Sequence, residues 1–287
     1  MLQRRKSRKV KIGKLYIGGD APITVQSMTT TDTTDAKATI EQIHGLEDVG
    51  CEIIRVSAPT MEAAKALKEI KENISIPLVV DIHFDYRIAL EAVKHVDKLR
   101  INPGNIGNPD KVEAVVKTCK DYKVPMRIGV NLGSLERDLF DKYGYAPEAM
   151  VESAMRHIKI LEDLDFYDTI VSLKASDVPR MVQAYRLFAK KTDYPLHLGV
   201  TEAGSKIPGT VKSAMGIGML LSEGIGDTIR VSLSEDPKEE VKVGKYILRT
   251  LGLRNDGVQV TSCPTCARTE VDVIKLVEEL ENATEKI

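Results

Sequence analysis

The chain has 287 residues, 43% hydrophobic and 29% charged, and its 41 basic side chains nearly cancel 42 acidic ones to leave a formal charge of -1. So balanced a charge argues against a nucleic-acid binder, and no apolar run approaches the ~20 residues of a membrane span. Length and composition suit one large globular domain with an appendage, and four irregularly spaced cysteines without a secretory signal suit a reducing, cytoplasmic setting.

In chain order, the start "MLQRRKSRKVKIGKLYIGG" is basic but has no apolar core segment, and it passes into an alternating pattern. That pattern predicts a solvated hairpin ahead of the fold, in preference to a targeting peptide or an RNA-binding arm. Short Val- and Ile-rich runs follow: "ITVQSM", "IIRVSAP", "PLVVDIH", "KLRINPG", "PMRIGVN", "TIVSLKAS", "LHLGVTEAG" and "TIRVSL". Amphipathic helical stretches such as "TMEAAKALKEIKEN" and "APEAMVESAMRHIKILEDL" separate them. Eight strand–helix units in roughly 250 residues predict an α/β fold, a closed (β/α)8 TIM barrel. The rival is a doubly wound open sheet. After "ITVQSM", however, the chain reads "TTTDTTDAKATI", with no glycine-rich dinucleotide fingerprint, and its Thr and Asp residues suit the cap of a helix over "ATIEQIHGLEDVG". With its hairpin the barrel is expected over residues 1–254, and "GVQVTSCPTC" opens a second unit over 255–287.

One detail recurs inside the strands. Arg55 precedes Ser57, Arg100 Asn102, Arg127 Asn131, Lys174 Ser176 and Arg230 Ser232, each pair two or four residues apart. Strand side chains alternate faces, so each cation shares a face with a small polar group near the carboxyl end of its strand. In a barrel those ends converge on one mouth. A lone strand cation is commonly an edge or surface residue, but five strands repeating the pattern describe a ring. Buried guanidinium groups need an anionic partner, and their forks match phosphate oxygens. Because the chain as a whole is nearly neutral, this local charge favours a small phosphorylated or diphosphorylated metabolite.

Two strands depart from the pattern: "VVDIHFDYR" places Asp81 and His83 on one face, and "LHLGVTEAGSK" carries His197, Thr201 and Glu202. Carboxylates and imidazoles at a mouth can move protons or orient neighbours. His197 reads equally well as a core histidine, and Glu202 as a salt-bridge partner of a mouth cation. His44, His95 and His157 fall in helical patterns as packing or surface residues, and Cys51 and Cys119 in apolar surroundings as inert thiols. Cys263 and Cys266 form a CxxC. Such a pair can grip one metal ion from neighbouring corners, but structural and cluster sites take four protein ligands.

The motifs "GGDAPITVQSMTTTDTTD", "IIRVSAP", "DIHFDYRIAL", "KLRINPGNIG", "RIGVNLGSLE", "SLKASD", "LHLGVTEAG", "IRVSLSEDP" and "SCPTCART" succeed one another as they do in the bacterial 4-hydroxy-3-methylbut-2-enyl diphosphate synthases, which the chain resembles to about residue 270. The resemblance implies reductive ring opening of 2-C-methyl-D-erythritol 2,4-cyclodiphosphate, with loss of water, in the nonmevalonate route to isoprenoids. It implies a [4Fe-4S] cluster reduced by ferredoxin or flavodoxin, and a homodimer in which the cluster domain of one subunit closes over the barrel of the other. By position, the substrate's diphosphate would meet Arg55, Arg100, Arg127, Lys174 and Arg230, helped by Asn102, Asn131 and Ser232. Asp81 and His83 match mouth residues near the substrate, and Glu202 matches the carboxylate that manages the proton. Cys263 and Cys266 match the first two of the family's three cysteine and one glutamate cluster ligands, with Ala267 where glycine is usual. The later segment that carries the remaining ligands has no counterpart, so the expectation is a truncated chain that binds substrate without turning it over. Two other readings stay open: a diphosphate-binding barrel of the dihydropteroate synthase type, and a non-catalytic barrel whose CxxC forms half of an intersubunit zinc site.

Overall fold

The computed structural model describes residues 3–284. The chain opens with an antiparallel hairpin, β1 (Val10–Ile12) and β2 (Leu15–Ile17). Strand β3 (Thr24–Met28) then begins an alternation with α1 (Ala36–Asp48), β4 (Ile53–Ser57), α2 (Met61–Glu72), β5 (Leu78–Asp81), α3 (Tyr86–Ala92), β6 (Lys98–Arg100) and α4 (Pro109–Tyr122). It continues through β7 (Met126–Asn131), α5 (Arg137–Tyr143), α6 (Pro147–Asp163), β8 (Thr169–Lys174), α7 (Val178–Lys191), β9 (His197–Leu198), α8 (Lys206–Ser222), β10 (Thr228–Ile229) and α9 (Pro237–Thr250). Every neighbouring pair from β3 to β8 is parallel, and β10 lies between β3 and β9. A parallel bridge from Val171 to Leu196 joins β8 to the start of β9 and closes the cylinder. The (β/α)8 barrel expected from the strand rhythm is therefore present.

Local chemistry explains the helix starts. Asp35 accepts from the Ala38 backbone N–H at the head of α1, Thr60 from Ala63 at α2, Asn108 from Lys111 at α4 and Asp177 from Arg180 at α7. Each satisfies a backbone donor that the helix itself leaves open. The Thr- and Asp-rich run after β3 is thus a capping segment, as the sequence suggested. Between strands and helices lies a continuous apolar layer that includes Ile54, Val56, Leu67, Val80, Leu99, Ile128, Leu173 and Leu198.

The hairpin departs from the solvated element expected. Its Val10, Ile12 and Ile17 are buried and pack on Ile53, Val79 and Ile170, the first inward-facing residues of β4, β5 and β8. It is the floor of the barrel. The basic segment before it is equally engaged: Arg4 donates to the Ala21 carbonyl at 2.6 Å and to Asp227 at 3.1 Å, and Arg5 donates to the carbonyls of Thr192 and Tyr194. Arg8 lies 4.0 Å over the Tyr194 ring. Charge that looked like a possible RNA-binding arm straps the base of the cylinder.

Beyond α9, Arg254 pairs with Glu52 at 2.5 Å, and from residue 257 to residue 284 no side chain is buried. That stretch carries Cys263, Cys266 and α10 (Val273–Thr284). Among the described residues no helix is long and apolar enough to cross a membrane.

Candidate active site

The floor fixes which way each strand faces. Since Ile53, Val79 and Ile170 point inward, the residues two and four positions further on do so too: Arg55 and Ser57, Asp81, and Ser172 and Lys174. The same alternation brings Lys98 and Arg100 inward from β6, and Arg127, Gly129 and Asn131 from β7. It turns His197 inward from β9, and Arg230 with Ser232 from the end of β10.

Six basic side chains therefore share the upper half of the cylinder: Arg55, Lys98, Arg100, Arg127, Lys174 and Arg230. Two carboxylates answer them. Asp81 accepts from Arg100 at 2.9 Å and lies 3.8 Å from Arg55. Glu240, reaching in from α9, lies 3.4 Å from Arg230 and accepts from Ser27 Oγ at 3.1 Å and the Leu233 backbone N–H at 3.0 Å. Arg55 also donates to the Met28 thioether at 2.8 Å. Arg127 is 1% exposed, and neither its Nε nor its Nη1 has a hydrogen-bond partner among the described residues. Lys98 is 0% exposed and donates to Gln26 Oε1 at 3.4 Å.

The electrostatic consequence is consistent across the ring. Burial, reinforced by neighbouring cations, pushes Arg127, Lys98 and Lys174 well below their usual pKa values. Arg55 falls to about 10, through burial first and then the proximity of Arg230 and Arg100, although Asp81 opposes. Burial alone would raise Asp81, but Arg100, Arg55 and Arg127 outweigh it and hold the carboxyl below its usual range. His197 is fully buried, and both ring nitrogens lack a partner among the described residues; burial and the surrounding cations keep it neutral. It is therefore not the satisfied core histidine that the sequence allowed.

Room for the ring depends on two glycines. A Cβ on Gly129 would lie 2.5 Å from Arg100 Nε, and one on Gly199 would lie 2.8 Å from Lys174 Nζ. The backbone of Gly129 also takes part in the site: its carbonyl accepts from the side chains of Arg100 and Asn102 at 2.9 and 3.0 Å, and its N–H donates to Asn102 Oδ1 at 2.9 Å.

Other candidates stand apart. His83 is exposed on the loop after β5, its ring 5.9 Å from that of Phe84. Glu202 is exposed after β9 with φ +51, a left-handed backbone that non-glycine residues rarely adopt and that clusters at functional loops. Ser176 lies past the end of β8 and is exposed, outside the ring. Lys98, Gln26, Met28 and Glu240 were not singled out from the sequence. The two-residue alternation that selected Arg100 and Asn102 extends one step back to Lys98, but nothing local marks Glu240, which sits on an outer helix.

Cys263 and Cys266 are exposed, whereas Cys51 and Cys119 are buried. Hydrogen bonds from the Arg268 backbone and side chain and from Thr269 hold the Cys266 thiol below its usual value, favouring the metal-binding thiolate. Burial pushes Cys51 up to about 12 and raises Cys119 as well. Among the described residues no three His, Cys, Asp or Glu side chains gather as a metal site. Two thiols in a CxxC are donors of the chemistry that an iron–sulfur cluster takes.

A family model described as the GcpE TIM-barrel domain matches residues 7–245. A 4-hydroxy-3-methylbut-2-en-1-yl diphosphate synthase (flavodoxin) of Symbiobacterium thermophilum is 57% identical over 289 aligned positions, covering 100% of this chain and 78% of the relative. One from Clostridium acetobutylicum is 58% identical over 287, covering 99% and 82%. Among solved structures, a dihydropteroate synthase from Stenotrophomonas maltophilia superposes with TM-score 0.62 at 12% identity, covering 87% of this chain and 100% of that one. A truncated 3-deoxy-D-arabino-heptulosonate 7-phosphate synthase from Thermotoga maritima gives 0.61 at 14%, covering 86% and 94%. Likenesses this distant concern the barrel fold alone. The chain belongs to the family of the 4-hydroxy-3-methylbut-2-en-1-yl diphosphate synthases, whose GcpE barrel it carries.

Proposed function

We propose that the barrel mouth binds 2-C-methyl-D-erythritol 2,4-cyclodiphosphate for reductive opening to 4-hydroxy-3-methylbut-2-enyl diphosphate, in nonmevalonate isoprenoid synthesis. The observation that carries this reading is the imbalance of six buried or half-buried cations against two carboxylates. Unpaired charge inside a protein is costly, and a ligand with two phosphate groups supplies what the ring lacks. Arg127 offers unpaired donors from the centre, Lys174 a buried ammonium beside it, and Arg55, Arg100 and Arg230 partly committed donors. Asn102, Asn131 and Ser232 add neutral hydrogen bonds above them. Asp81 orients Arg55 and Arg100, while His83 and Glu202, at the rim and open to solvent, are placed to hold or deliver the proton that the loss of water requires.

The reaction consumes two electrons and one proton. Side chains are poor one-electron donors, so a [4Fe-4S] cluster would supply the electrons, with Cys263 and Cys266 as two of its ligands and flavodoxin or ferredoxin as donor; the relatives' names specify flavodoxin. With two thiolates in hand, the 287-residue chain is proposed to bind substrate and not to reduce it unaided. The boundary near residue 254 is proposed because Leu248 is the last buried residue among those described and Arg254 still pairs with Glu52 of the barrel. For the homodimer we assign α8 as a contact face: Ile207, Val211, Met215 and Met219 stand exposed at four-residue intervals on a helix without a carboxylate. That stripe would form the apolar centre of an interface of about 800 Å² per partner.

Titration calorimetry separates this reading from the dihydropteroate synthase type. The cyclodiphosphate should bind one per chain, and a pterin diphosphate should bind no better than inorganic pyrophosphate. Preference for the pterin would overturn the proposal. Iron analysis after anaerobic reconstitution tests the other alternative: zinc at one per dimer, without iron, would favour an intersubunit zinc site.

A further inference from the structure

Two loops frame one side of the mouth, residues 102–108 after β6 and residues 132–136 after β7, which ends at Asn131. His157 reaches both of them from α6. Its ring is buried; Nδ1 accepts a hydrogen bond from the Gly104 backbone N–H at 3.2 Å, and Nε2 stands 3.4 Å from Glu136 Oε1. A backbone N–H donates only to a ring nitrogen that carries no proton. Nδ1 therefore presents its lone pair, and the proton of the neutral imidazole lies on Nε2, beside Glu136. Burial favours the neutral ring, as does nearby Arg156, itself paired with Asp138 at 2.7 Å, while Glu136 opposes them. The fit is close: a Cβ on Gly104 would lie 2.7 Å from His157 Cε1, so the turn that follows Asn102 rests directly on the ring.

An apolar side chain at 157 would fill the same volume but leave the Gly104 N–H without its acceptor. Glu136 Oε2 is already buried without a protein partner, so Glu136 would then have neither oxygen matched by the ring. The histidine thus does more than pack. Asn102 begins one loop and is locked to Gly129 in the strand that leads to the other, so a shift of the Gly104 turn is transmitted to both asparagines.

We propose that His157 is a positioning residue of the anion site: in its Nε2–H form it clasps the loops after β6 and β7, holding Asn102 and Asn131 where the diphosphate arrives. This rests on the reading of the mouth as a diphosphate site. The test uses the 287-residue chain, inorganic pyrophosphate and calorimetry. His157→Gln can accept from Gly104 and donate to Glu136, and should bind within about threefold of the unsubstituted chain. His157→Phe should bind about tenfold more weakly, as should Gly104→Ala, which pushes on the ring without altering the core and decides the matter if the Phe variant does not fold. Nitrogen NMR of the unsubstituted protein should show Nδ1 unprotonated at neutral pH. Unchanged affinity in folded His157→Phe or in Gly104→Ala, or a proton on Nδ1, would overturn the inference. Absence of pyrophosphate binding by the unsubstituted chain is a different result, which removes the diphosphate reading and the positioning role together.

Discussion

Lys98→Met is the sharpest perturbation of the cationic ring, because stability and binding should move in opposite directions. The ammonium is fully buried, meets Gln26 Oε1 at 3.4 Å, and is depressed by burial, with Arg127 and Arg55 adding to the effect. An unfolded lysine titrates near 10.5, so between the lowered native value and 10.5 the unfolded chain binds more protons. Stability of the ligand-free protein should therefore rise with pH across that window, by up to 1.36 kcal/mol per unit (about one proton's worth). Methionine keeps most of the volume and removes the charge. Replacing a poorly compensated buried ion by an apolar residue stabilises by about 1–4 kcal/mol, and the orphaned Gln26 carbonyl offsets about 1, leaving a net gain of up to about 3 kcal/mol at pH 7. At roughly 2–4 °C per kcal/mol for a domain of this size, Tm should climb by several degrees. Pyrophosphate affinity should drop at least about tenfold, a loss of ~1.4 kcal/mol. Chemical denaturation with and without pyrophosphate measures both. A variant that is less stable than the parent when ligand-free, and binds pyrophosphate as well, would refute the reasoning.

Asp81→Asn removes the shared partner of Arg100 and Arg55 and should cost about 3–5 kcal/mol of stability, read from denaturant midpoints. The Asp81 carboxyl is held below 3.8, so its contribution is complete above that value and is lost as pH falls through the lowered one. The variant's acid denaturation curve should accordingly be shallower there. Gly129→Ala should displace Arg100 and weaken pyrophosphate about tenfold with circular dichroism unchanged, since the added Cβ meets a guanidinium 2.5 Å away. Cys263→Ser and Cys266→Ser should abolish iron uptake while leaving Tm and pyrophosphate affinity as they were, because both side chains are exposed on the tail. Met215→Glu, on the α8 stripe, should shift sedimentation toward monomer without loss of pyrophosphate binding.

The barrel was legible because its signals are local. Most strands announce themselves by β-branched runs, and six barrel helices by a capping Asp, Asn or Thr, and the same alternation that defines a strand placed Arg55, Arg100, Arg127, Lys174 and Arg230 on one inner face. What escaped the sequence was long-range. The hairpin's role as a floor depends on Val10, Ile12 and Ile17 meeting Ile53, Val79 and Ile170, and no pattern within residues 10–17 says which surface they cover. Glu240 is one of two adjacent glutamates on an amphipathic helix until the helix packs against β3 and β10 and turns it inward. His157 reads as a packing residue in its helical repeat, and only the return of the β6 and β7 loops gives its two nitrogens something to meet. Lys98 was within reach of the two-residue rule, but a strand only three residues long offers little run in which to see it.

The most direct test is a crystal structure of the chain soaked with 2-C-methyl-D-erythritol 2,4-cyclodiphosphate. Both phosphate groups should lie within hydrogen-bond reach of the inner ring, with at least one on Arg127 and Lys174. Density for the cyclodiphosphate elsewhere on the molecule, with Arg127 still unpartnered, would contradict the account.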